Sequence, residues 1–373
     1  MSNIKRIAVF VVIILFVVLV ASSFVGSEIL DRAIIIGLGV DKAENGVKIT
    51  AEVVSPGNGS EQIGTYSKTV TAVGDSVGQA LNRIAELTGK EASLGRCLLI
   101  VLGQDLYENV DFSDVIEYFI RSDSFKESSA ICCSQGSAED IMNKGSALSQ
   151  SVSLALTALI QDQSEKVAIV TNNLLDYTLS QRELFKTGFL NKVSFVSSQN
   201  TDSNNPDKDQ GYFVLDETVV FKSNRYLYSM DKEETKAYAL FDDKVLGDTF
   251  SSDASGKLLT LNVNSKKVDK KINGNQVEIN IKLYAKLART DSADVEGIFV
   301  SKDKTEIPKE TIDDITNYAT TIAETLINKQ IEYNFDILDI HELFRQKQGT
   351  SEELSNKPMS ELPVKLKVEI VEK

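Results

Sequence analysis

Ala33–Val40 reads AIIIGLGV. The stretch is short, apolar and rich in β-branched residues, the composition of a central strand. Asn45-Gly46 follows as a turn signal and Val47–Val54 returns, so the chain opens with a hairpin. Thr65–Val73 alternates polar and less polar residues, a further strand. The period then changes. Val77, Leu81, Ile84 and Leu87 recur at helical spacing, with Asp75 or Ser76 as N-cap and Gly89 closing the end.

Beyond this helix, Cys97–Leu102 is an apolar run that reads as a buried strand, and Val115, Ile116 and Phe119 mark one face of a helix at Phe112–Ile120. Ser129–Cys133 is a strand, Ala138–Met142 begins a helix, and Ser151–Ile160 and Asn172–Leu184 are helical. Strand and helix alternate through this half, which implies a mixed α/β domain. Ser197–Gln210 is polar, rich in Asn and Asp, and contains Pro206, so it reads as a linker. Tyr212–Phe221 and Leu258–Val263 are strands, and Val268–Ile272 and Val277–Leu283 flank the hairpin signal Asn273-Gly274. Pro308 opens the longest helix, whose stripe Ile312, Ile315, Ala319, Ile322 and Leu326 packs on a sheet. Asn334 breaks it, a shorter helix covers Ile337–Lys347, and Leu362, Val364, Leu366, Val368 and Ile370 form a half-buried strand at strict period two. No repeat of 20–50 residues is present.

Upstream of the first strand lies the uncharged run Ile7–Val25, preceded by Lys5 and Arg6. A bilayer core takes about 20 apolar residues as a helix, so the run is long enough to span. The basic flank keeps the N-terminus inside and places everything after Glu28 outside. A cleaved signal peptide is the other reading, with Ala21-Ser22-Ser23 as the small-residue site. In either case the rest of the chain is an exported ectodomain. The fold class expected is therefore α+β: an N-terminal membrane helix (1–27) followed by mixed α/β domains at 28–200 and 211–373, joined by a linker at 201–210. The second domain divides further near residue 262.

The 373-residue chain is 42% hydrophobic and 25% charged, as an ordinary globular protein is. Its 54 acids against 40 bases give −14, which repels nucleic acid and offers no polybasic patch for anionic lipid. Cys132 and Cys133 are adjacent and do not pair with each other, whereas a bridge from Cys97 to one of them is allowed. No C-x-x-C spacing exists, which argues against a zinc or redox site.

Gly74-Asp75-Ser76-Val77-Gly78 matches G-x-S-x-G between a strand and a helix. A nucleophile elbow needs a histidine base, and the only histidine is the distant His341. The preceding strand is polar and alternating, so Ser76 or Asp75 reads as a helix cap. Gly37 and Gly39 begin a dinucleotide fingerprint, but Lys42 takes its sixth position and the glycines lie inside the strand. Asp202–Asp207 matches a calcium loop at two positions only, lacks its glycine and has Phe213 in place of the bidentate Glu. Asp242-Asp243 and Asp313-Asp314 read as solvated or first-turn acids, and His341 as a helix-surface residue. No catalytic, cofactor or metal constellation assembles.

The order of several motifs resembles the Ger(x)C family, the C subunits of spore germinant receptors. Glu28-Ile29 with Ala33–Lys42 is similar to its opening strand; Gly89-Lys90, Ser93-Leu94-Gly95 and the run to Gly103 resemble its second motif. Phe119-Ile120-Arg121-Ser122-Asp123, then Phe221-Lys222 through Glu233-Glu234-Thr235-Lys236, and finally Asp336-Ile337 with Glu342 follow in family order. Members usually carry a lipobox cysteine followed by Trp and Asp. Here Val20-Ala21-Ser22-Ser23 has the lipobox shape with Ser23 in the cysteine position, and a hydroxyl cannot form the thioether to diacylglycerol. The family often has glycines near Asp339 and His341, which argues against a family role for this histidine. The resemblance implies three mixed α/β domains, no catalysis, and assembly with membrane-embedded A and B subunits. It places the ectodomain on the outer face of the spore inner membrane, in a complex that answers small nutrient germinants. Two other readings compete: a serine hydrolase built on Ser76, and an envelope-anchored binding module outside germination.

Overall fold

The computed structural model describes residues 13–14, 32–55, 66–146, 149, 151–163, 173–182, 187–197, 210–242, 248–256, 258–273, 276–290, 307–348 and 357–372. The run Ile7–Val25 lies outside these apart from Ile13 and Ile14, which are helical and exposed. Among the described residues no helix is long and apolar enough to cross a membrane.

The AIIIGLGV stretch is a central strand. β1 (Arg32–Lys42) pairs antiparallel with β2 (Val47–Ser55), and β2 with β3 (Tyr66–Gly74). On its other side β1 lies parallel to β4 (Glu91–Ser93) and β5 (Leu99–Leu102). Helix α1 (Val77–Thr88) makes the crossing between β3 and β4. Its last turn ends on Gly89 in the left-handed region (φ 65°), which glycine enters without a Cβ penalty. Helices α2 (Gln104–Asn109) and α3 (Ser113–Arg121) lead to β6 (Ala130–Ser134), parallel to β5. Then come α4 (Ala138–Asn143), β7 (Gly145–Ser146), α5 (Val152–Gln163), α6 (Leu174–Arg182), β8 (Thr187–Ser197), β9 (Gln210–Lys222) and β10 (Arg225–Met230). The sheet has ten strands, with main order β10-β9-β8-β6-β5-β1-β2-β3.

Helices cover this sheet on both faces. Leu38, Val40, Ile100 and Leu102 pack with Ile84, Tyr107, Phe119 and Tyr177 on one side. Leu99, Val101 and Cys132 pack with Met142, Leu156 and Ile160 on the other. The glycines of β1 are explained by that second layer. A Cβ on Gly37 would sit 1.9 Å from Ser153 Oγ in α5, and one on Gly39 would sit 3.0 Å from Met142 and 3.1 Å from the Ala138 Cβ in α4. They serve close helix–strand approach, not a phosphate.

After Met230 the chain builds a second unit: α7 (Lys232–Phe241), β11 (Asp248–Ser252), β12 (Leu259–Asn273), β13 (Gln276–Thr290), α8 (Lys309–Tyr333), α9 (Ile340–Gln348) and β14 (Val364–Glu372). The sheet order is β11-β12-β13-β14, with β14 parallel to β13 and the other pairs antiparallel. Both sheets are thus mixed. Asn273 and Gln276 pair across a two-residue connection, as Asn273-Gly274 predicts. The stripe of α8 seats Ile315, Ala319, Ile322 and Leu326 in the core, with Ile312 half-buried beside it. Asn334 ends that helix in the left-handed region (φ 49°).

One sequence expectation is corrected here. Leu258–Val263 and Val268–Ile272 are one long strand, β12, whose register shifts between Val263 and Ser265, where Asn264 is the extra residue; Ser265, Lys266 and Lys267 stay paired with Tyr284, Leu283 and Lys282. The linker at 201–210, like the calcium-like loop 202–207, lies outside the described residues apart from Gln210. The strands flanking it are antiparallel neighbours, Ser197 opposite Gly211, so the first sheet runs on through β10 and the sheets change only after Met230. β9 joins the two units, because Val219 and Phe221 enter the first core while Val220 enters the second. β10, α7 and β11 are further elements of the structure, and Asp231-Lys232-Glu233-Glu234 carries the capping-box signal used on α7.

Candidate cleft at the ends of the parallel strands

The carboxyl ends of β1, β5 and β6 come together at Lys42, Leu102 and Ser134, the edge at which open α/β sheets place ligands. Asp41 is the buried group there. Its carboxylate accepts the N–H of Ala138 (2.7 Å) and of Glu139 (2.9 Å), satisfying the first turn of α4. A Cβ on Gly103 would lie 1.9 Å from Asp41 Oδ1, so glycine makes room for it. Burial pushes the Asp41 carboxyl above the usual carboxylate range, against the pull of these two N–H groups and of the Lys48 ammonium. Lys48 itself donates to Glu139 (2.6 Å), and that bond holds Glu139 low.

Two clefts flank Lys42. The larger, about 470 Å³, opens between Lys48, Gln104, Glu108 and Ser137. The other, about 390 Å³, has an apolar wall of Leu106, Phe112, Val115 and Tyr118 and a polar rim that includes Asp75, Ser76 and Asp111. Partial burial works to raise the Asp111 carboxyl, but hydrogen bonds from Ser113 and Arg225 prevail and hold it low.

Ser76 is the exposed N-cap of α1, where its Oγ accepts the N–H of Gln79 (3.3 Å). The Gln79 side chain accepts the N–H of Asp75, the residue before the cap (2.5 Å). Gly74 and Gly78 serve packing: a Cβ on the first would meet Ala80 N at 2.4 Å and on the second Tyr118 at 3.2 Å. His341 is not near. It is buried in the second unit, contrary to the surface position expected, with Nδ1 2.8 Å from Asp336 Oδ2 and Nε2 2.7 Å from the Lys357 carbonyl. Sequence spacing placed it on an amphipathic helix but could not show that the segment around Lys357 packs over it. Ser76→Ala is therefore expected to lower stability by about 1 kcal/mol, and Ser76→Asp to be tolerated because aspartate also caps. Denaturant melts check this. Labelling of Ser76 by a fluorophosphonate, lost in the alanine variant, would restore the hydrolase reading.

The bridge allowed from Cys97 does not form; all three cysteines are buried free thiols. Leu99 pairs with Ala130, so Cys97 falls short of Cys132 by about four residues, roughly 13 Å along the strands, beyond the ~7 Å a disulfide can span. Burial pushes the thiols of Cys97 and Cys132 up to about 12. Among the described residues no group of three or more His, Cys, Asp or Glu could hold a metal. Asp242 follows the end of α7, Asp243 lies outside the described residues, and Asp314 accepts the Ser252 hydroxyl (2.5 Å).

Comparison with known proteins gives three findings. Residues 26–183 match the family model for the spore germination protein N-terminal domain. Residues 216–371 match the model described as spore germination B3/GerAC like, C-terminal. The crystal structure of the GerBC protein superposes with a TM-score of 0.53, covering 90% of this chain and 96% of that one at 16% identity, so it shares the fold. Among curated proteins no sequence matches this chain at a significant level.

Proposed function

Because this chain belongs to the Ger(x)C family of spore germination proteins, we propose that it is a non-catalytic C subunit of a germinant receptor, assembling with membrane-embedded A and B subunits in nutrient-triggered germination. The observation that carries this reading is the tandem match: both family domains occur in order on one chain, at 26–183 and 216–371. The mixed-sheet fold that it shares with the GerBC protein supports it.

Ile7–Val25 is the proposed anchor, kept as an uncleaved and non-acylated helix because Ser23 offers no thiol. It would hold the ectodomain on the outer face of the spore inner membrane. A tethered domain meets membrane partners at high effective concentration, so modest contacts suffice for assembly.

The test is a tagged full-length chain recovered from spore membranes. A-type and B-type subunits are expected to copurify, and deletion of the gene to abolish the response to one nutrient while sparing other germination routes. Copurification with neither subunit, together with unchanged responses to every nutrient, would remove the protein from the receptor.

A further inference from the structure

The second sheet has one face under helices and one open. Val277, Ile279, Ile281, Leu283 and Ala285 of β13 point into the core beneath α8 and are buried. The alternate residues point the other way, and strand pairing sets them in rows. Lys267 stands opposite Lys282, Lys271 opposite Glu278, Glu278 opposite Lys365, and Lys282 opposite Glu369. With Lys286 and Lys367, six exposed lysines share this face. Among the described residues they meet three carboxylates, Asp269, Glu278 and Glu369, in pairs of 2.7–4.0 Å such as Lys271–Asp269 and Lys365–Glu278. The face therefore carries excess positive charge on a chain whose net charge is −14. Composition alone argued against a polybasic patch, because the lysines are scattered over a hundred residues of sequence; three paired strands gather them.

We infer that this open face docks on an anionic bilayer surface. Charge complementarity selects the occupant class, and the kind of residue selects lipid over protein. Cores of protein interfaces are enriched in aromatic residues and Arg and depleted in Lys, whereas polybasic recognition of anionic headgroups uses point charges of this kind. Among the described residues Tyr284 is the one aromatic ring on the face, and it is half-buried. A groove of about 270 Å³ is lined by Lys267, Lys282 and Lys367 against Asp269 and Glu369, a lining with one positive charge in excess and broad enough to seat a headgroup phosphate. The inference requires a chain near a membrane but not the receptor reading, so either can fail alone.

The experiment uses the full-length chain in vesicles of phosphatidylcholine alone or with one third phosphatidylglycerol. A brief pulse of amine acetylation is read at each lysine by mass spectrometry. Lys267, Lys282, Lys286 and Lys367 are expected to react about five- to tenfold more slowly with phosphatidylglycerol present, and 0.5 M salt should abolish the difference because exposed charges are then screened. Lys126, exposed between α3 and β6, should be unchanged. The variant Lys267→Glu/Lys286→Glu, altered only at exposed positions, should lose protection at Lys282 and Lys367. Equal rates in both vesicles overturn the proposal. So does slowing of Lys126 to the same degree, which would mean coating of the whole surface. Protection already present in phosphatidylcholine also overturns it and points to contact with a second copy.

Discussion

Gly37→Ala is expected to cost about 3–4 kcal/mol, above the roughly 1–3 kcal/mol usual for overpacking a core. The added Cβ would lie 1.9 Å from Ser153 Oγ and 2.7 Å from Ser153 Cβ. The hydroxyl cannot swing away freely, since it donates to the buried carboxylate of Glu52, which also accepts the Ser153 N–H (2.8 Å) and the Ser67 hydroxyl (2.6 Å). Relief therefore requires α5 to move off β1, leaving Glu52 buried with fewer donors. In a domain of this size the loss corresponds to a fall of roughly 10 °C in melting temperature. The double variant Gly37→Ala/Ser153→Gly removes the clashing atoms and should recover about half of the loss, a coupling above about 1 kcal/mol. Thermal melts of the wild type, both single variants and the double variant measure it. A cost for Gly37→Ala below about 1 kcal/mol, or a double variant no better than the single, would mean that β1 has room for a side chain.

The same residues show what a single sequence reveals. AIIIGLGV could be read as a central strand because its composition is local, and the second-half hairpin and the stripe of α8 because turn chemistry and periodicity are local too. The reason for the two glycines was not legible, since Ser153, Ala138 and Met142 are distant in sequence. Asp41 is a similar case: it stands beside Lys42 in the opening motif, but its task is to cap a helix that begins at Ala138. Glu234, in the mid-chain motif, closes the capping box of α7. Gly37, Gly39, Asp41 and Glu234, which stand in family-like motifs, are thus caps and close contacts that specify the fold. Sheet order and the lysine face were hidden for the same reason: strand alternation is visible in a sequence, but the identity of the neighbouring strand is not.

Asp336→Ala is expected to be comparably damaging, at about 4 kcal/mol, because two buried backbone N–H groups and the His341 ring lose one partner group. The Asp336 carboxylate accepts the N–H of Ile340 (2.9 Å) and of His341 (2.8 Å), capping α9, and its Oδ2 also meets the His341 ring (2.8 Å). A lost cap alone costs about 1 kcal/mol, and each donor stranded in the core adds about 1–3 kcal/mol. The preceding turn offers no substitute, since the Gln330 side-chain oxygen is already shared between the N–H groups of Ile337 and Leu338. The far nitrogen of His341 meets the Lys357 carbonyl and so ties α9 to the segment that enters β14. Losing Asp336 should therefore loosen α9 and β14 before it loosens β13. Asp336→Asn keeps one oxygen for the helix and should lose about half as much. Denaturant unfolding gives the total, and amide exchange locates it. Exchange in Ile340–Gln348 and Val364–Glu372 should accelerate most, with β1 and β5 of the first sheet least affected. A loss below about 1 kcal/mol, or acceleration spread evenly over both sheets, would show that this buried acceptor is not what holds the last strand in place.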